Sequence, residues 1–236
     1  MTKDLLGVNF DSWKFPDLVE PGRPLGRFSC ERQDEFVYHL LAGHMDGTGF
    51  FLDIGCATPK ECNNTYVLEK YLGWEGIAFD IGDVDVNDEW TENRSAPFHQ
   101  IDATSEEFAT LLQNLVGDRL VDYISLDVDR ADTQNTHKAL EKIIAGKIQF
   151  KIMTLEHESF KYGDLVTSPT RKLLREKGYQ MLFEDVCFPD THRRHTRVIA
   201  WEDWWIKPEL LPHENIMSIG GKELTYHECV ERVKKL

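Results

Sequence analysis

Apolar positions along the chain fall into short continuous runs separated by amphipathic stretches, the spacing of buried strands alternating with helices. RQDEFVYHLLAGH puts Phe36, Val37, Leu40 and Leu41 on one helical face and stops at Gly43 and the turn-forming MDGTG. GFFLDIG follows as an apolar run closed by Asp and Gly, which suits a buried parallel strand meeting a tight turn. NNTYVLEKYLGW reads as a helix with Asn63 or Asn64 as N-cap, Leu68 and Leu72 inward and a stop at Gly73. Then come strand GIAFD, strand PFHQID, and helix SEEFATLLQNL, with Thr104 or Ser105 capping its acidic first turn. VDYISLDVD is the clearest strand; THKALEKIIAG (helix), FKIMTLEH (strand), SPTRKLLREKG (helix), YQMLFEDVCF (strand) and TRVIAWED (strand) complete the series.

Parallel strands need long crossovers, and the helices between these runs supply them. Between Phe188 and Thr196 only the seven residues PDTHRRH intervene, too few for a helical crossover, so strands six and seven are expected to be antiparallel neighbours. The expected fold class is α/β: a Rossmann-like, doubly wound, mostly parallel sheet of seven strands with an antiparallel last strand. Residues 1–28, with Trp13, Pro16, Pro21, Gly22, Pro24 and Gly26 and no sustained periodicity, read as an N-terminal arm. Residues 29–206 form the body and residues 207–236 a C-terminal helical tail.

Composition changes this picture little, but charge does. The 236 residues are 41% hydrophobic and 29% charged, which excludes a disordered or low-complexity chain. Lys and Arg number 27 against 41 Asp and Glu, a net charge of −14, so the global field repels phosphate backbones and no nucleic-acid partner is expected. No stretch approaches the roughly 20 apolar residues of a membrane span, and MTKDLLGVNFDSWKFPD lacks the apolar core of a signal peptide. A cytoplasmic protein is expected, with a small-molecule or glycan partner and, in one reading, a homo-oligomeric state. Cysteines at 30, 56, 62, 187 and 229 are odd in number and lack a CxxC pair, which predicts reduced thiols.

In open α/β sheets ligands bind beyond the carboxyl ends of the strands. Here those ends carry Asp53, Asp80, Asp102, Asp127 with Asp129, and Glu156 with His157. A dinucleotide pyrophosphate needs a G-x-G-x-x-G turn, and Ala57 stands where the second glycine would be. S-adenosylmethionine has no phosphate and carries an ammonium, a sulfonium and a ribose diol, all suited to acidic or neutral acceptors. Asp80 would then accept from the ribose hydroxyls and Asp102-Ala103 meet the adenine amino group, with Ile81 and Ile101 against the ring. Acidic residues at strand ends are also common helix caps and solvated loop residues, so the constellation counts for more than any member.

GFFLDIGCATPKECNNTYVLEKYLGWEGIAFDI resembles the FkbM-type methyltransferases in its first strand, glycine turn, Asn-Thr-Tyr helix start, Leu-Glu-Lys and Gly-Trp-x-Gly-Ile, in that order. RQDEF before it and DYISLDVD, TLEHE, REKGYQ and WEDWWI after it resemble the same family, over about residues 30 to 206. The resemblance implies an S-adenosylmethionine-dependent methyltransferase domain over 29–206 and O-methylation of a sugar or similar small polar acceptor. It implies Asp53 and Gly55 near the methionine moiety, Asp80 on the ribose, Asp102 on the adenine, and Gln33 and Asn64 near the methionine carboxylate. The chain departs from the family at Ala57-Thr58-Pro59, where many members have Asn-Asp-Gly; Pro59 fixes φ and removes a donor.

Methyl transfer also requires an aligned acceptor and removal of its proton. Asp127, Glu156 and His157 resemble the ligand placement of Mg²⁺- or Mn²⁺-dependent O-methyltransferases; alternatively His157 or Asp129 acts as a base without metal. The cationic stretch THRRHTR offers Arg193 and Arg194 to an anionic acceptor, or to solvent or a dimer contact. WEDWWI is expected to pack the last strand, with sugar stacking as a second role, and Cys56 to be a small filler. A catalytically silent binding module and an NAD-dependent oxidoreductase are the alternative functions.

Overall fold

The computed structural model describes residues 28–29, 31–42, 48–82, 84–128, 134–189 and 198–236. In chain order the elements are α1 (Gln33–Val37, continued by a π-helical turn, Tyr38–Ala42), β1 (Phe50–Ile54), α2 (Tyr66–Lys70), β2 (Glu75–Asp80), α3 (Val84–Asn93), β3 (Phe98–Gln100) and α4 (Glu106–Val116). There follow β4 (Val121–Leu126), α5 (Asn135–Ala145), β5 (Phe150–Glu156), α6 (Ser159–Tyr162), α7 (Asp164–Glu176), β6 (Gln180–Pro189) and β7 (Val198–Ile206). A 3₁₀ turn (Pro208–Leu210), α8 (His213–Ile219), β8 (Gly221–Lys222) and α9 (Tyr226–Val233) complete the chain.

The sheet order is β3-β2-β1-β4-β5-β7-β6-β8. Strands β1 to β5 pair in parallel, while β7 runs antiparallel between β5 and β6. The order reverses between β1 and β4, the switch point where doubly wound sheets open a crevice. The expected α/β architecture is therefore present, with eight strands in place of seven. The added strand, β8, is a two-residue edge pairing with β6, too short to leave a periodic signal.

Period-two alternation sorts side chains to the two faces. Phe50, Leu52 and Ile54 of β1 join Phe108 and Leu112 of α4 and Leu140 and Ile143 of α5 in one core. Phe51 faces the opposite layer with Phe36, Leu40, Leu68 and Trp204. Adjacent Trp204 and Trp205 are both fully buried but belong to opposite cores. They pack as expected; neither is open to a ligand.

Helix α4 starts as its sequence predicts, with Ser105 Oγ accepting from the Phe108 amide at 3.2 Å. Helix α2 begins later than expected, with Thr65 at the N-cap and no side-chain cap bond. Helix α3 was not legible: Val84, Val86 and Trp90 are too few to make a sustained apolar period; Trp90 is buried and donates Nε1–H to Ala96 O at 2.7 Å. Helix α7 starts before Pro169 and contains it. Helix α9 packs Cys229, Val230 and Val233 into the core with Phe183 and Trp204, and Lys234 bonds Glu35 of α1 at 2.7 Å. The C-terminal segment thus covers the same sheet face as α1. Among the described residues no helix is long and apolar enough to cross a membrane.

Candidate functional site

The carboxyl ends of β1, β2, β4, β5 and the facing part of β7 define the site. After β1 the backbone turns at Gly55, φ 81°. A Cβ there would stand 1.7 Å from the Asp127 carbonyl oxygen, so only glycine permits β1 to pass β4 this closely. The Gly55 amide donates to Phe79 O at 2.8 Å and the Asp127 amide to Ile54 O at 2.9 Å, locking the ends of β2, β1 and β4 together.

Residues 56–65 are held from beneath. Asp53 is buried and accepts from Thr65 Oγ1 at 2.7 Å and Asn63 Nδ2 at 3.0 Å. Burial raises its pKa to about 6, against the opposing charge of Arg94. Arg94, buried at the end of α3, pairs with Glu69 and donates to Pro59 O at 2.9 Å, Asn63 Oδ1 at 3.0 Å and Thr65 Oγ1 at 2.9 Å. Pro59 thus supplies an acceptor to the turn it narrows. Nothing in the sequence singled Arg94 out, because its importance comes from fitting an arginine fork into a buried set of oxygens.

Asp80, half-buried at the end of β2, accepts from the Ala57 amide at 2.8 Å and the Gly82 amide at 2.7 Å, one on each oxygen. Each oxygen keeps a further lone pair for a ligand. Ile81 is 71% exposed beside it. Asp102 is exposed and accepts from the Thr104 amide at 2.8 Å and hydroxyl at 2.7 Å; Ala103 is buried.

On the other side of the switch point lies a cavity of about 190 Å³. Its walls are Glu31 and Gln33 before and in α1, Cys62 and Asn64 before α2, Ser125, Leu126 and Asp127 after β4, Thr154 and Glu156 on β5, and Trp201 and Glu202 on β7. Four carboxylates line it and no Lys or Arg does, among the described residues. Gln33 Nε2 donates to Glu202 Oε1 at 3.0 Å and reaches Glu31 Oε2 at 3.4 Å. Asn64 Nδ2 donates to Ser125 Oγ at 3.0 Å, while Ser29 Oγ contacts Asn64 Oδ1 at 2.9 Å. Burial, opposed by the Gln33 hydrogen bond and reinforced by the Asp127 charge, raises the Glu31 pKa to about 7. Glu202 is pushed well above the ordinary carboxylate range by burial first and by the Glu31 charge next. Glu31 and Glu202 were missed in the sequence because neither stands at the carboxyl end of a parallel strand.

The ligand atoms of His157, Asp127 and Glu156 do not gather within reach of one ion. The His157 ring is buried; Nδ1 accepts from the Ser159 amide at 3.1 Å, and Nε2 faces Asp203 Oδ1 at 3.5 Å and Asp185 Oδ1 at 3.6 Å. Among the described residues the one group of His, Cys or carboxylate ligand atoms within 4.8 Å of one another is His157, Asp185 and Asp203. Arg171 already occupies it, with Nε 2.7 Å and Nη2 2.8 Å from Asp203 and Nη2 2.6 Å from Asp185. The expected Mg²⁺ or Mn²⁺ set of Asp127, Glu156 and His157 therefore does not fit, and His157 lies outside the walls of the main cavity. Asp129, Arg193 and Arg194 lie outside the described residues. Cys62 is disulfide-bonded, which corrects the expectation of uniformly reduced thiols; Cys56, Cys187 and Cys229 are free and buried.

No family model matches the chain, and no curated protein does. Among solved structures it is similar to the Dnmt2 methyltransferase of S. pombe: 13% identity, TM-score 0.47, 66% of this chain and 48% of that one. It is also similar to the magnesium protoporphyrin IX methyltransferase ChlM of Synechocystis PCC 6803, solved with bound SAM: 14% identity, TM-score 0.47, 74% of this chain and 77% of that one. A third is TYW2 of P. horikoshii, in complex with MeSAdo: 15% identity, TM-score 0.45, 77% of this chain and 65% of that one. The chain spans about half the length of the Dnmt2 structure.

Proposed function

We propose that the chain is an S-adenosylmethionine-dependent methyltransferase acting on a hydroxyl of a sugar or other small polar acceptor. The observation that carries this reading is the placing of acidic side chains: Asp80 at the rim on one side of Gly55 and the four-carboxylate cavity on the other. Such an arrangement opposes a pyrophosphate and so disfavours the NAD-dependent alternative, while it favours a ligand with an ammonium, a sulfonium and a diol.

Asp80 would hold the ribose hydroxyls, Asp102 and Ala103 the adenine with Ile81 over the ring, and Gln33 and Asn64 the methionine end. When bound, the cofactor would supply an electrophilic methyl carbon for transfer to the acceptor oxygen. Glu31 takes the hydroxyl proton, since a carboxylate titrating near 7 is matched to that task. Gln33 orients Glu31 and Glu202 from between them.

Thermal shift with S-adenosylhomocysteine against NAD tests the reading, because a ligand that binds only the folded state raises Tm. A rise with the former alone is expected. A rise with NAD alone would replace the reading, and binding of S-adenosylhomocysteine without turnover on any acceptor would favour the silent module.

A further inference from the structure

Between two cavity residues the backbone makes a turn that a non-glycine residue rarely adopts. Arg32, flanked by Glu31 and Gln33, stands at the N-cap of α1 in the left-handed region, φ 62° and ψ 27°. A residue with a Cβ persists there only where its surroundings hold it. The neighbours on either side line the cavity, and they are bonded to each other. The Glu31 amide donates to Gln33 Oε1 at 3.2 Å, and Gln33 Nε2 reaches Glu31 Oε2 at 3.4 Å. A change in the Arg32 turn therefore displaces both.

The Arg32 side chain, 3% exposed, does not line the cavity but meets α1 and α9. Nε and Nη2 fork onto Glu35 at 2.5 and 2.6 Å, Nη1 bonds His227 Nδ1, and Nη2 lies 3.7 Å from Glu231. An arginine has donors only, so His227 Nδ1 is the acceptor. Lys234, the C-cap of α9, stands 2.7 Å from Glu35 and 2.9 Å from Glu231. Arg32, Glu35, Lys234 and Glu231 thus form a ring of alternating charge across the two helices. Burial pushes the Glu35 carboxyl up, but the hydrogen bonds of Arg32 and Lys234 outweigh it and hold it below the ordinary glutamate range, so the ring is ionised. Helix α9 already docks through Cys229, Val230 and Val233. A buried ion pair adds little to such docking but fixes a geometry, and a guanidinium fork does so with both its bonds.

We propose that Arg32 is a positioning residue for the site and that α9 acts through it: the charge ring fixes the left-handed turn and so sets where Glu31 and Gln33 stand in the cavity. The proposal rests on the methyltransferase reading for what those two residues do, and it makes the C-terminal helix part of the working site.

The test is a carboxyl-detected NMR titration of Glu31 in the full chain, beside calorimetric titration with S-adenosylhomocysteine, for the parent, Arg32→Gly and Lys234→Gln. Glycine takes the left-handed turn at no steric cost, so Arg32→Gly keeps that conformation accessible and removes the ring. Lys234→Gln opens the ring from α9. Asp127 after β4, Glu156 on β5 and Glu202 on β7, the other carboxylates of the cavity among the described residues, are unaltered in both. In the parent Glu31 should titrate near 7; in Arg32→Gly it should fall toward the ordinary glutamate value of 4.5, because a carboxyl that swings outward loses the burial that raised it. S-adenosylhomocysteine should bind that variant about tenfold more weakly, as Gln33 leaves its place. Lys234→Gln should move both readings the same way by less, and it decides alone if Arg32→Gly does not fold. A ring that merely stabilises would lower Tm and leave the Glu31 titration of the folded protein unmoved. Unchanged Glu31 titration and unchanged S-adenosylhomocysteine affinity in the variants would overturn the positioning while the methyltransferase reading stands. Failure of the parent to bind S-adenosylhomocysteine would remove that reading, and the Glu31 titration would still decide the positioning.

Discussion

Gln33 Nε2 donates to Glu202 Oε1 at 3.0 Å, joining the first residue of α1 to the middle of β7 across the cavity. This one bond closes the site on the side away from the glycine turn, and it leaves two carboxylates, Glu202 and Glu31, sharing one amide. Two like charges in so little solvent are held by taking up protons, and stability is surrendered whenever they ionise.

The pH dependence follows directly. Glu31 titrates near 7 when folded and near the ordinary glutamate value of 4.5 when not, so the folded state binds more protons between these values. Stability should therefore fall as pH rises from about 5 to 7.5. Glu202 adds in the same direction. Differential scanning calorimetry of the ligand-free protein across this range should show Tm falling with pH.

Replacing Glu202 with Gln keeps the acceptor for Gln33 and removes a buried carboxyl that ionises only at a cost in stability. The fall of Tm with rising pH should flatten in this variant. A drop in stability would mean that the carboxylate is compensated in the ligand-free fold.

Asp203 behaves oppositely. The hydrogen bonds of His157 and Arg171 overcome its burial and hold its pKa near 2. Its contribution is present above the ordinary aspartate range and lost as pH falls through about 4 toward 2. Arg171→Ala should cost on the order of 3–5 kcal/mol at pH 7, read by urea unfolding, because Asp203 and Asp185 lose their shared cation. At pH 2.5 the gap between variant and parent should narrow.

Arg94 is the test of the turn. Arg94→Ala removes four bonds from a buried fork and should lower Tm by several degrees and weaken S-adenosylhomocysteine. Arg94→Lys should recover little, since one ammonium cannot reach Glu69, Pro59, Asn63 and Thr65 together.

Strand runs and their parallel pairing were legible because each buried strand is a continuous apolar stretch, as in FFLDI and VDYISL. The antiparallel β7 was legible from connection length alone. Helix α3 was not, since the apolar residues of its sequence, Val84, Val86 and Trp90, are too few to make a sustained period. Of the site, the acids at strand ends could be placed by topology, but what each side chain faces could not. Asp53 looks from its position like Asp80, yet it supports the turn from below while Asp80 stands at the rim. His157 adjoins Glu156 in sequence, and period-two alternation sends it away from the cavity toward Arg171. The pairing of Glu31 with Glu202 joins segments 171 residues apart, 202 less 31, and no local pattern carries it.

Calorimetric titration of S-adenosylmethionine into the parent and the Asp80→Asn protein tests the acidic edge most directly. Saturable binding is expected, weakened about tenfold by the substitution, the size of one lost charge-assisted hydrogen bond. No binding to the parent, or equal binding to both, would contradict the assignment of this edge to the cofactor.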